Sequence, residues 1–216
     1  MVTNRHIDGV IRILKRLVRR WEEPVVGHYR ADPFATLISC LLSLRTKDAV
    51  TKEASKRLFR LARTPQRMLR LPPATVARAI YPVAFYRVKT KTIRGVCRTL
   101  IERYGGRVPD ELDALLTIKG VGRKTANLVV TLAFSKYGIC VDTHVHRISN
   151  RWGYVKTTTP ERTEMALRRT LPRKHWRIYD DLLVTFGQNL CQPVSPWCSR
   201  CPLNRVCPRI GVTHSR

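Results

Sequence analysis

The chain has 216 residues, enough for one large domain or two small ones, and 44% of them are hydrophobic, which excludes wholesale disorder. Its charge is extreme: 41 Lys plus Arg against 15 Asp plus Glu give a formal +26, more than solubility needs, and a polyanionic partner accounts for it. No segment is long or apolar enough to span a bilayer and no secretory signal opens the chain, so nucleic acid is favoured over a membrane surface and a reducing cytoplasm is the expected setting.

Ile7, Val10, Ile11, Leu14, Leu17 and Val18 fall on one helical face with Arg and Lys between them. Such a start can mimic a mitochondrial address, but the better reading is a structural amphipathic helix. Asp32-Pro33 then offers an N-cap and a first-turn proline ahead of Phe34, Leu37, Ile38, Leu41 and Leu42, and Thr64-Pro65 and Thr159-Pro160 repeat the device. From Ala54 to Ile101 there are 12 Lys or Arg and no Asp or Glu. Regular apolar positions continue through that stretch (Leu58, Leu61, Met68, Leu69, Leu71, Ile80, Val83), so it reads as folded helices with a basic face and not as a disordered tail. No period-two run of β-branched residues is flanked by hairpin turns. The expectation is an all-α chain of nine or ten short helices.

Residues 115 to 127, LLTIKGVGRKTAN, read as a helix end, a Gly-Val-Gly turn and a new helix start: a helix-hairpin-helix. Glycine lets backbone enter left-handed conformations and approach a ligand closely, and amides at the second helix's start can then face a phosphate. Lys119, Arg123 and Lys124 flank the turn and add positive charge; Gly120 and Gly122 form it. Lys124 has a bland reading as a phosphate anchor. Eighteen residues further on lies Val141-Asp142-Thr143-His144-Val145-His146-Arg147, where Asp142 has an equally bland reading as an N-cap. The two readings are compatible, because a cap also fixes a carboxylate rigidly.

Beyond Leu190 helical periodicity stops. Cys191, Cys198, Cys201 and Cys207 follow in a C-x6-C-x2-C-x5-C pattern, stiffened by Pro193, Pro196, Pro202 and Pro208. Disulfides suit a cytoplasmic chain poorly. Four thiolates suit tetrahedral zinc and an iron–sulfur cluster about equally on chemical grounds. Cys40, Cys97 and Cys140 stand singly among apolar residues, as buried core cysteines do.

GVGRKTAN, VDTHVHRISNR and the cysteine loop occur in the order and separation of the endonuclease III family, and LISCLLSLRTKD at 37 to 48 resembles its early-helix motif. The similarity runs from about Asp32 to Cys207. It implies a two-domain, all-α glycosylase fold with a helix-hairpin-helix and a C-terminal [4Fe–4S] cluster loop held by Cys191, Cys198, Cys201 and Cys207. A six-helix domain would span 26–136, and residues 1–25 with 137–216 would form the cluster domain, with DNA across the cleft between them. The implied activity is base-excision repair: a DNA N-glycosylase with AP lyase activity that removes damaged pyrimidines, oxidised ones foremost, from double-stranded DNA. Such an enzyme is expected to act as a monomer on damaged or abasic DNA, in the cytoplasm with the nucleoid, with no membrane partner.

The resemblance makes Lys124 the nucleophile at C1′ of the flipped nucleotide and Asp142 the stabiliser of positive charge on the sugar. An ammonium cannot attack, so Lys124 must first lose a proton. Lys119, Gly120, Gly122, Arg123 and His144 would contact DNA. Three positions depart from the pattern: Lys119 replaces a common proline, Arg45 stands where many members have a glutamine that fills the gap left by the flipped base, and Phe85 stands where an aliphatic wedge is usual. The latter two leave the chemistry alone and bear on lesion preference. A monofunctional mismatch glycosylase and a non-catalytic DNA-binding iron–sulfur protein are the alternative functions; Lys124 argues against the former.

Overall fold

The computed structural model describes residues 1–22 and 24–216. Among these there are eleven α-helices and no strand: α1 (Asn4–Val18), α2 (Pro33–Ser43), α3 (Asp48–Leu61), α4 (Pro65–Arg70), α5 (Pro73–Ile80), α6 (Tyr86–Tyr104), α7 (Leu112–Leu116), α8 (Arg123–Leu128), α9 (Thr143–Arg151), α10 (Pro160–Thr170) and α11 (Trp176–Asn189). The count exceeds the expected nine or ten partly because the chain restarts helices at short intervals, with Pro65 and Pro73 opening two of them in quick succession. Each Asp/Thr-Pro pair does what its chemistry suggests. Asp32 Oδ1 accepts from Ala35 N at 2.9 Å, and Thr64 and Thr159 Oγ1 accept from Arg67 and Arg162 N at 3.2 Å. Caps of this kind contribute about 1 kcal/mol each.

Two compact units share the chain: Val25–Lys136, and Met1–Pro24 together with Tyr137–Arg216. The first is built on α2, whose residues Phe34 to Leu42 are all buried. A helix apolar all round needs partners all round, and α3, α6 and α8 supply them. Its fully buried Leu37, Ile38 and Leu42 contribute about 2 kcal/mol apiece by burial. In the second unit α1 lays Ile7, Val10, Ile11 and Leu14 into a core with Ile148, Trp152, Leu183 and Phe186, and α9 and α10 pack alongside. The single cysteines Cys40, Cys97 and Cys140 are buried as expected, and burial pushes the Cys97 thiol up to about 12. Leu61, at the exposed end of α3, is not part of the core.

The basic stretch is less uniform than its sequence suggests. Most of its cations are exposed, yet three are turned inward onto helix ends. Arg57 donates to Ala79 O and Tyr81 O at the end of α5, and Arg94 to Leu69 O and Leu71 O at the end of α4. Lys89 donates to Leu42 O and Leu44 O at the end of α2. Helix C-termini leave carbonyls without intrahelical donors and carry partial negative charge, so a long cation satisfies both at once. Part of the charge excess is therefore scaffold.

Candidate active site

In the Val25–Lys136 unit, α7 ends at Leu116 and the chain turns through Thr117–Gly122 into α8. Ile118 and Val121 are buried and anchor the turn, whereas Lys119, Gly120 and Gly122 are exposed. The two glycines are there for different reasons. Gly120 has φ +94°, and a Cβ there would sit 2.5 Å from Thr92 Cγ2, so neither backbone nor space admits a side chain. Gly122 is the N-cap of α8 with an ordinary φ of −88° and nothing within 4 Å of a would-be Cβ. The expectation of left-handed backbone therefore holds at Gly120 only, and Gly122 leaves the start of α8 open to close approach. Arg123 and Lys124 are the first two residues of α8, both half-buried, while Thr125 to Leu128 behind them are in the core. The helix then widens into a π turn over Val129–Ala133, with Thr131 Oγ1 donating to Asn127 O at 2.8 Å.

In the same unit Arg45 and Phe85 meet. Both are exposed, and both hold left-handed backbone, at φ 55° and 57°. The Arg45 guanidinium lies 5.1 Å from the Phe85 ring centroid, within cation–π range. The resemblance assigns both positions to the flipped base, but no local signal marks their direct contact across 40 residues. Lys89, one helical turn into α6 from Phe85, was also missed. The signal was available: Lys89 shares a helical face with Ile93, Val96 and Leu100, where an apolar residue is due.

In the other unit Asp142 caps α9. Its Oδ1 accepts from His144 N at 2.8 Å and Val145 N at 2.9 Å, so the structural reading of this residue is correct as far as it goes. The His144 ring packs on α11, where a Cβ at Gly187 would come within 2.5 Å of its Nδ1. That nitrogen accepts from Arg147 Nη2 at 3.0 Å, and the same Nη2 donates to Cys191 O at 2.9 Å. At the far end of α9, Arg151 is 7% exposed and donates to Gln192 O at 2.6 Å, Pro193 O at 2.7 Å and Cys191 Sγ at 3.5 Å.

Cys191, Cys198, Cys201 and Cys207 line one cavity walled by Trp152, Phe186, Leu190, Pro196 and Trp197. Burial pushes the Cys191, Cys201 and Cys207 thiols up, Cys201 to about 11. Arg151 and Arg147 oppose the rise at Cys191, and backbone amides of Leu203 and Arg209 oppose it at Cys201 and Cys207. Donors aimed at sulfur in an otherwise apolar wall suit thiolates neutralised by a bound metal centre. Among the described residues no group of three or more His, Cys, Asp or Glu is gathered tightly enough for a metal ion.

An all-helical scaffold carrying a glycine hairpin with a lysine at its second helix is the architecture of helix-hairpin-helix DNA repair proteins. Residues 38–173 match the HhH-GPD superfamily of base excision DNA repair proteins. Endonuclease III of Thermotoga maritima is 46% identical over 195 residues, 90% of each chain. Two solved structures, a non-covalent endonuclease III–DNA complex and a trapped endonuclease III–DNA covalent intermediate, each superimpose with a TM-score of 0.87 at 34% identity over 97% of both chains. The chain belongs to the endonuclease III family of this superfamily, and is a base-excision repair DNA glycosylase and AP lyase. No helix among the described residues is long and apolar enough to cross a membrane.

Proposed function

We propose that the chain removes damaged pyrimidines, oxidised ones foremost, from double-stranded DNA and nicks the strand through Lys124. The carrying observation is Lys124 in the first turn of α8, half-buried behind a turn whose Gly120 tolerates no side chain. Extruding a base costs a few kcal/mol, and exposed cations around the hairpin offset it through phosphate contacts. Neutral Lys124 Nζ then attacks C1′ as the glycosidic bond breaks toward the base. The C1′–O4′ bond then opens, with O4′ taking up a proton, to give the Schiff base, and loss of a C2′ proton from it expels the 3′ phosphate oxygen. Asp142, fixed by its two cap bonds, stabilises positive charge on the sugar. Lys119, Gly120, Gly122 and Arg123 hold phosphate. His144, whose Nδ1 accepts from Arg147, also contacts DNA in this reading. Borohydride trapping of a covalent adduct on damaged duplex tests the reading; a chain that binds but never traps is not a lyase.

The four cysteines hold a [4Fe–4S] cluster in this reading. When bound, it supplies four metal–thiolate bonds that tie the loop together, and the loop presents Arg200, Arg205 and Arg209 to phosphate. Purified protein should be yellow-brown with broad visible absorbance, and should contain iron and sulfide in near-equal amounts. Stoichiometric zinc without iron in anaerobically prepared protein would overturn the assignment.

Arg45 sets the opposite-base preference. Glutamine can donate and accept, whereas arginine only donates, so Arg45 favours an orphan base that presents acceptors, and guanine O6 is the most accessible of these. Excision of one lesion should be about tenfold faster opposite G than opposite A, the scale of one good base contact, and Arg45→Gln should shrink that ratio. An unmoved ratio in single-turnover rates would leave Arg45 a phosphate contact only.

A further inference from the structure

Lys89 is 8% exposed, although it lies among exposed Arg87, Val88 and Lys91 at the start of α6. Its Nζ donates to Leu42 O at 2.7 Å, Leu44 O at 2.5 Å and Thr46 Oγ1 at 3.1 Å. Three acceptors need three N–H bonds, which only the ammonium form has, although burial pulls this lysine down to about 8. A buried cation is costly and persists where its bonds are needed. Here they hold a bend. Leu44 and Thr46 flank Arg45, whose left-handed φ of 55° is an unfavourable conformation for a long side chain. Thr46 Oγ1 also accepts from Ala84 N at 3.3 Å, next to Phe85, and Phe85 O accepts from Lys89 N at 2.9 Å. One ammonium and one hydroxyl thus lock the two segments that present Arg45 and Phe85, and the side chains stack.

We propose that Lys89 is a specificity-determining positioning residue, which with Thr46 holds Arg45 and Phe85 as one preassembled wedge that enters the duplex as a unit and sets selectivity for the opposite base. This rests on the reading that Arg45 and Phe85 touch DNA. Preassembly removes the cost of ordering two exposed side chains during base extrusion. The pair therefore acts together: loosening the clamp weakens gap filling and orphan reading at once, without touching Lys124 or Asp142.

The test uses full-length protein and duplexes carrying 2-aminopurine opposite a tetrahydrofuran abasic analogue, whose fluorescence reports unstacking of the orphan base. Lys89→Met removes the donors and keeps the stem. Thr46→Val is the milder change, available should Lys89→Met fold poorly. Either should cut the fluorescence gain and lower single-turnover excision of an intact lesion about tenfold, the scale of a broken positioning network. The G-to-A ratio should fall as well, while borohydride trapping on a preformed abasic site changes less than about twofold, since no intact base must be extruded. In an Arg45→Ala/Phe85→Ala background the same changes should have no further effect on fluorescence or on the ratio. Equal losses in both backgrounds, or a G-to-A ratio unmoved by both variants, would reduce Lys89 to a core support and overturn the proposal. If the Arg45→Ala/Phe85→Ala protein itself keeps wild-type fluorescence and ratio, the underlying DNA-contact reading fails, and the proposal with it.

Discussion

Lys124→Gln should abolish borohydride trapping on damaged and abasic duplex, with strand-nicking turnover down by at least about 10³-fold, because an amide nitrogen cannot form a Schiff base and no partial substitute remains. Binding to abasic DNA should stay within about threefold, since one phosphate contact at most is lost. The substitution is mild structurally: Lys124 is half-buried at a helix start, and glutamine is a good helix former close to it in length. Quenched-flow trapping with wild type and mutant decides the matter. Trapping at the wild-type rate would mean that another amine is the nucleophile, and the large loss cannot then be assigned to position 124.

Asp142→Asn is expected to separate charge from cap. Asparagine caps helices as well as aspartate does, and its Oδ1 can take over the bonds from His144 N and Val145 N. The melting temperature should therefore move by no more than about 1 °C, whereas Asp142→Ala, which loses the cap, should cost about 1 kcal/mol and about 3 °C. Turnover of Asp142→Asn should nevertheless fall by about 10²-fold or more, the size of a removed transition-state charge contact. Unfolding without a specific loss of turnover would make Asp142 structural only.

What could be read from the sequence follows the range of the interactions involved. The caps at Asp32, Thr64 and Thr159 are local, set by neighbours three residues away, and their chemistry is visible in the chain. The amphipathic face of α1 was readable for the same reason. The hairpin was readable as a motif, but assigning its glycines a common purpose was not justified, since only Gly120 needs its backbone freedom. Lys89, Arg57 and Arg94 look like surface charge in the sequence because their acceptors lie 22 to 47 residues away. The left-handed backbone at Arg45 and Phe85 has no sequence signature, as neither residue favours it. Leu61 kept the apolar spacing yet stands exposed, since spacing does not say where a helix outruns the core.

The π turn that follows α8 spans Val129–Ala133, with Val129 to Leu132 all buried. It leaves the helix behind Lys124 slightly unwound, so a substitution or a single-residue deletion there would rotate what precedes it instead of simply shortening a loop. A variant library would thus treat 129–133 as a dial on the lysine's azimuth. Gly122, Arg123 and Lys124 all precede the turn on the same helix, so such changes would move the start of α8 and its lysine together.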